Sequence, residues 1–293
     1  MTIFNLGSIN ADHFYRLPHL PTPGETLAAT RYERGPGGKG ANQSVAAARA
    51  GADVRHIGAI GSDGRWMRDE LRADGVDCTH VSEVGTASGH AIIYVDAEGE
   101  NTIILFPGAN RVVPRVSLET ALSDAAPGDY LLMQNETSLQ REAVELARKK
   151  GVFIAYSAAP FEAEAVRAVI EGLDLLLLNA VEAEQLCEAL GVALEALPVK
   201  AVCVTHGAKG AVWHDLVAKT EHRQPAFAVE PVDTTGAGDT FAGYLVAALS
   251  EGLAPRAALQ LAAAASAVKV TRAGTSAAVP KRAEVDAFLK SRL

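Results

Sequence analysis

Short runs with apolar residues on consecutive positions set the strongest limit on how this chain folds. Thr2 to Leu6, Asp53 to Ile60, Tyr130 to Met133, Val152 to Tyr156, Leu173 to Leu178 and Ala201 to Thr205 are of this kind. A strand buried on one face alternates in polarity, whereas one buried on both faces does not. Helical stretches lie between several of these runs, at Ala41 to Ala50, Trp66 to Ala73, Leu139 to Lys150, Glu162 to Ile170 and Val181 to Leu190. Alternation at this length predicts an α/β fold with a central, mostly parallel sheet and helices on both faces.

Two segments break the alternation. Phe14 to Arg34 carries Pro18, Pro21 and Pro23 and has no helical period. His90 to Asp96 and Asn101 to Phe106 are strand-like and are joined by the turn Ala97-Glu98-Gly99-Glu100 as a hairpin. Together they predict a small β appendage, placed as a lid over a site. The expected division is a core of residues 1–12, 36–86 and 108–293 and a β lid of 13–35 and 87–107. Gly191 to Lys200 is too short for a crossover helix, which leaves the topology there open.

Composition excludes several classes of partner. The 293 residues carry a net charge of −8, and an acidic chain repels nucleic acid and anionic membrane. The most apolar region, Phe241 to Val270, is interrupted by Ser250-Glu251-Gly252 and Pro255 and reads as two buried helices. Cys78, Cys187 and Cys203 are far apart and odd in number, as expected of buried reduced thiols. Met1 to Leu6 runs straight into a strand without a basic start or cleavage site, so the expectation is a cytoplasmic protein. No Cys/His spacing suits a transition metal, and His13 and His90 read as surface or lid residues.

The strongest chemical motif is Asp233-Thr234-Thr235-Gly236-Ala237-Gly238-Asp239, set before the apolar helical run Phe241 to Leu249. Glycines let a backbone approach a ligand closely, and the first amides of a helix have no internal partners and lie at the positive end of its dipole. Gly236, Ala237 and Gly238 therefore form a candidate anion hole for a phosphoryl group. Asp239 is placed to take the proton of an attacking hydroxyl. The plainer alternative is a helix start with Asp239 as N-cap.

A second glycine loop, Gly35-Pro36-Gly37-Gly38-Lys39-Gly40-Ala41-Asn42-Gln43, also opens a helix. Gly35, Gly37 and Gly40 match the dinucleotide pattern G-x-G-x-x-G, which would suit an oxidoreductase, but the loop follows the proline-rich excursion and not the first strand. It is no Walker loop, because Gly40 follows Lys39. A polyol-binding turn fits better, with Lys39 and Asn42 bonding hydroxyls. Asn10 and Asp12 follow the first strand, where open α/β sheets bind ligands. Asn179 and Glu182 follow the strand Leu173 to Leu178. They read either as a helix cap or as holders of hydrated magnesium.

In this order, the four motifs resemble those of the ribokinase family, the sugar kinases grouped with phosphofructokinase B, over nearly the whole chain. Asp233 to Asp239 is similar to the family's C-terminal signature, and Gly37-Gly38-Lys39-Gly40-Ala41-Asn42 to its N-terminal one. The resemblance implies a kinase that moves the terminal phosphate of ATP to the 5-hydroxyl of ribose, with another sugar or a nucleoside as the alternative acceptor. It implies sugar contacts from Asn10, Asp12, Gly38, Lys39, Asn42, Ile93, Glu136 and Asp239. Asn179, Thr205, Gly207 and Gly238 would meet the nucleotide, and Asn179 and Glu182 would organise magnesium through water. Asp233 and Thr235, with carbonyls near Lys269, Arg272 and Gly274, would hold a monovalent cation, potassium. Homodimerisation through the lids is implied as well. A sugar sensor without catalysis is a further alternative, which the intact Asp239 disfavours. Three departures stand out. Ala278 falls where a cation-binding Ser is common, Ala263 falls where a polar residue often faces adenine, and the segment Gly191 to Lys200 is short.

Overall fold

Leu175, Leu176, Leu177 and Leu178 point alternately into two separate cores, one on each face of a single sheet. The structure, a computed structural model, describes residues 1–292. The sheet contains β1 (Thr2–Leu6), β4 (Asp53–Ile60), β5 (Asp77–Glu83), β8 (Tyr130–Gln134), β9 (Phe153–Ser157), β10 (Leu175–Asn179), β11 (Ala201–Thr205), β12 (Ala211–Asp215) and β13 (Thr220–Gln224). Their order is β13-β12-β11-β10-β9-β8-β1-β4-β5, parallel except at the β12 and β13 edge. A second sheet of order β3-β2-β6-β7 is built from β2 (Asn10–Arg16), β3 (Arg31–Gly37), β6 (Gly89–Val95) and β7 (Asn101–Phe106).

The helices form two layers. On one face lie α1 (Lys39–Arg49), α2 (Arg65–Ala73), α7 (Ala237–Ser250), α8 (Pro255–Val270) and α9 (Arg282–Lys290). On the other lie α3 (Arg115–Ser123), α4 (Gln140–Lys149), α5 (Ala163–Arg167) and α6 (Ala180–Leu190). The alternation of Ile3 with Phe4, of Leu132 with Leu131 and Met133, and of Ala155 with Ile154 and Tyr156 feeds the two cores in turn. That is why these strands read as unbroken apolar runs. No helix among the described residues is long and apolar enough to cross a membrane.

The expected alternation holds, with corrections at its margins. Strands β5, β12 and β13 and helices α3 and α9 lie outside the elements expected from the sequence, because their polar outer positions hide the apolar pattern. The stretch Glu162 to Ile170 is only the short α5 followed by a 3-10 turn at Ile170–Gly172. The crossover between β10 and β11 is made by α6, so Gly191 to Lys200 needs only the 3-10 turn Leu194–Ala196. Cys187 is half-buried, unlike the buried Cys78 and Cys203. The expected lid segments 13–35 and 87–107 contribute most of the second sheet's strands, and β2 begins earlier, at Asn10, and β3 ends later, at Gly37, than those bounds.

Chain order places the site. From β1 the sheet grows one way through β4 and β5 and the other way through β8 to β11. The C-terminal ends of β1 and β8 are therefore the point where connections diverge, the kind of place where open α/β sheets bind ligands.

Candidate active site

Asp239 is the third residue of α7, inside the helix, and the N-cap is Gly236 in the left-handed region at φ 73°. The N-cap alternative for Asp239 is thereby corrected. Its buried carboxylate accepts two hydrogen bonds from α1, from Asn42 Nδ2 and Gln43 Nε2, both at 3.0 Å. These fix the carboxylate's orientation beside the open N-terminus of α7.

The amides of the expected trio Gly236, Ala237 and Gly238 are not equivalent. Ala237 N–H donates to Thr234 O at 3.1 Å and so faces its own loop. The helix-start amides of Gly238 and Asp239 have no i−4 partner within α7. A Cβ added at Gly238 would meet nothing within 4 Å, so the approach to these donors is open. Ser266 Oγ, on α8, supports the loop from beneath by donating to Ala237 O at 3.2 Å.

Behind Asp239 runs a chain of buried amides. Gln134 Nε2 donates to Gln43 Oε1 (2.8 Å) and to Asn5 Oδ1 (2.9 Å). Asn5 Nδ2 donates to Gly40 O (2.8 Å) and to Ser44 Oγ (2.7 Å). Ser44 Oγ lies 2.8 Å from His56 Nδ1, and His56 Nε2 lies 3.0 Å from Gly7 O. Burial pushes the His56 pKa down to about 4, so its ring is neutral. It accepts from Ser44 and donates to Gly7.

The second glycine loop meets the same place. Gly38 adopts φ 91°, and a Cβ there would press on Ser8 O at 2.9 Å, so only glycine fits. Lys39 N donates to Glu136 Oε2 at 3.0 Å, and Ser8 Oγ donates to the same carboxylate oxygen. Asn10 Oδ1 accepts from Asn110 Nδ2 at 2.7 Å, and Asn110 Oδ1 accepts from Ile9 N at 2.9 Å. Asp12 is buried with its pKa raised to about 7, by burial first and then by the charges of Glu136 and Asp239. Three carboxylates thus converge. Asn10, Asp12 and Phe14 pair with Gly89, Ala91 and Ile93, so Ile93 lies farther along the face that carries Asn10 and Asp12.

Two clefts approach Asp239 from the other strand ends. One, of about 200 Å³, is lined by Lys39, Asn179, Glu182, Thr205, Gly238 and Asp239. The other, of about 440 Å³ and mostly apolar, is lined by Thr205, Gly207, Phe227, Gly238, Ala263 and Ser266. They meet at Thr205 and Gly238. Asn10, Asp12, Ile93 and Glu136 line neither cleft; the charges of Glu136 and Asp239 act on Asp12 without a shared cavity. Asn179 and Glu182 form a capping box, with Glu182 N on Asn179 Oδ1 (2.9 Å) and Asn179 N on Glu182 Oε2 (2.7 Å). The cap occupies Asn179 Oδ1 and Glu182 Oε2 and leaves the Asn179 amide NH₂ and Glu182 Oε1 outside it.

Asp233 lies at the start of the loop. Thr235 N and Gly274 N each donate to its carboxylate at 2.9 Å. Lys269 is fully buried; burial holds its pKa below the usual lysine range, against the pull of Asp233. Arg272 faces outward to Glu284 at 2.6 Å. The sequence reading passed over Ser8, Gln43, Asn110 and Gln134. Gln43 adjoins Asn42 and Gln134 precedes Glu136, which was the only signal available for either.

Converging carboxylates and amides, a carboxylate held in place and an open helix N-terminus beside two clefts are thus brought together at one end of the sheet. A family model described as "pfkB family carbohydrate kinase" matches residues 2–282, and the chain belongs to that family. It is therefore a phosphotransferase with an alcohol group as acceptor. The chain is 38% identical to the ribokinase of Haemophilus influenzae, over 99% of this chain and 98% of that one. It is 31% identical to the deoxyribokinase of Salmonella typhi, over 99% of each. The Arabidopsis thaliana ribokinase structure complexed with ribose and ATP superposes with a TM-score of 0.87 at 28% identity, covering 99% of this chain and 98% of that one.

Asp12 yields a pH prediction. Its folded pKa is raised, so ionisation opposes folding as pH climbs from the unfolded value of 3.8 to about 7. Asp12→Asn removes that cost. Its gain in melting temperature over wild type should be small near pH 4, grow toward pH 7 and level off above it, as thermal denaturation across that range will read.

Proposed function

We propose that this chain is an ATP-dependent ribokinase that transfers the terminal phosphoryl group of ATP to the 5-hydroxyl of ribose. The observation that carries the reading is the Asp239 carboxylate, clamped by Asn42 and Gln43 beside the open amides of Gly238 and Asp239. Asn42 Oδ1 is buried without a partner among the described residues, and it supplies an acceptor for a sugar hydroxyl next to Asp239. Asn10, Asp12, the Lys39 loop at Gly38 and Glu136 bind the remaining hydroxyls, and Ile93 covers the ring. Carboxylates accept from hydroxyls and repel anions, so a neutral sugar suits this pocket and a phosphorylated one does not.

In the reaction Asp239 orients the hydroxyl and takes its proton, and the oxygen attacks the terminal phosphorus in line. The Gly238 and Asp239 amides meet the charge as it spreads. Thr205 and Gly207 line the nucleotide cleft, and the Asn179 amide donates to phosphate oxygens. Magnesium, held through water by Glu182 Oε1, would neutralise phosphate charge. The second sheet acts as a lid that excludes water, with residues 13–35 and 87–107 as its moving part. Its exposed Ile103, Ile104, Leu105 and Phe106 form the contact of a homodimer. Three free, widely spaced cysteines support a cytoplasmic enzyme.

The alternative acceptor is 2-deoxyribose, favoured by the similarity to a deoxyribokinase. ATP consumption against ribose, deoxyribose and nucleosides, with magnesium, decides among them. Ribose should give the largest kcat/KM, and exclusive turnover of a nucleoside overturns the assignment. Asp239→Asn should slow the reaction by roughly 10²–10⁴, the span of general-base loss. A variant at full speed removes Asp239 from the mechanism.

Two further outcomes follow from the surfaces. Ala263 presents no polar group to a base, so GTP should replace ATP with little loss, and a strict ATP requirement in the same assay would contradict this. Ile104→Lys should convert a dimer to a monomer in sedimentation, and a monomeric wild type would exclude the lid contact.

A further inference from the structure

The loop that carries the anion-binding amides rests on the C-terminal end of α8, and a lysine with 0% exposure supports it there. Lys269 Nζ donates to Asp233 O at 2.9 Å. Ser266, one turn earlier on α8, holds the other side of the loop through Ala237 O. A buried ammonium is costly unless its charge is used, and an apolar side chain would fill the same space more cheaply. The Asp233 carboxylate supplies the opposite charge, and the last carbonyls of α8 add the negative end of a helix dipole.

Family resemblance assigns this spot to a dissolved potassium ion, and what stands here competes with one: the Lys269 ammonium already holds the Asp233 carbonyl, and Ala278 adds no hydroxyl. All four polar atoms of Asp233 have partners: N donates to Val270 O at 3.1 Å, O accepts from Lys269, and the carboxylate oxygens accept from Thr235 N and Gly274 N. Lys269 O accepts from Arg272 N at 3.0 Å. A second cation beside a buried ammonium meets like-charge repulsion in a region of low dielectric.

Resting on the kinase reading above, we infer that Lys269 is a built-in monovalent cation, whose ammonium takes the place of potassium and makes the enzyme independent of it. Ammonium and potassium carry the same charge and favour the same carbonyl oxygens. The lysine fixes the Asp233 carbonyl, and through Asp233, Thr234 and Ala237 it fixes the direction of the amides that meet the phosphate. It is a positioning residue and touches no reacting atom.

The test runs the intact enzyme in choline chloride and replaces choline with potassium at constant ionic strength. Wild-type turnover should not change. Lys269→Ala should lose about 10- to 100-fold in choline, the worth of one charged hydrogen bond, and potassium should restore most of the loss by entering the vacated space. A several-fold stimulation of the wild type by potassium overturns the inference. So does a Lys269→Ala enzyme that loses nothing in choline, or whose loss potassium does not relieve. Should Lys269→Ala not fold, the wild-type titration still decides. If the wild type phosphorylates no acceptor, the kinase reading has failed. Lys269 is then read separately, from the affinity of both proteins for magnesium ADP by calorimetry in the two salts.

Discussion

Asp239 accepts from two amides of one helix, and that pair of bonds sets the direction of a hydrogen-bond chain through the middle of the molecule. A carboxylate can only accept, so Gln43 must turn its NH₂ toward Asp239 and its oxygen toward Gln134. Gln134 must then donate to Asn5, Asn5 to Ser44, and Ser44 to a neutral His56 whose other nitrogen serves the Gly7 carbonyl. The chain joins α7, α1, β8, β1 and β4, the elements around the point where the sheet's connections diverge. Chemistry at one end and packing at the other are held by the same bonds.

The position of the site follows from topology, and its polarity follows from the order of helices around it. Two helices, α1 and α7, begin there, each after a glycine-rich turn, and each brings a different function to its first turn. In α1 the side chains Asn42 and Gln43 point at a carboxylate, while in α7 the backbone amides are left for an anion. Acid groups from β2, from the loop after β8 and from α7 then crowd close enough to raise the Asp12 pKa. That crowding is tolerable only because amides and a hydroxyl satisfy Asp239 and Glu136, leaving Asp12 as the carboxyl that keeps its proton to higher pH.

Much of this was legible in the sequence where a signal is local. The buried strands announce themselves by consecutive apolar residues, and the two glycine loops by glycines next to Asp239 and Lys39. What depends on distant partners was not legible. Asn110 holds Asn10 across a separation of 100 residues, and Gln134 reaches Gln43 across 91. Nothing near either marks it as more than a polar residue at an element's end. That the Ala237 amide faces its own loop was hidden for a related reason, since a glycine-rich helix start does not reveal which of its amides the preceding turn consumes. Lys269 entered only for its carbonyl, as the resemblance implied, and nothing local marks its side chain as buried, since a lysine late in a helix ordinarily reaches solvent.

The directionality of the buried amide chain also bears on how such a sequence can change over generations. Reversing one amide, or replacing Gln43, Gln134 or Asn5 alone, sets two donors or two acceptors face to face in a place water does not enter. The cost of the first exchange is relieved only by a second at its neighbour, so substitutions here are coupled and not additive. These positions should vary in concert or stay fixed. The interior polar residues, which never meet a substrate, are then a stronger brake on divergence than the apolar core around them, where Leu, Ile and Val exchange one at a time.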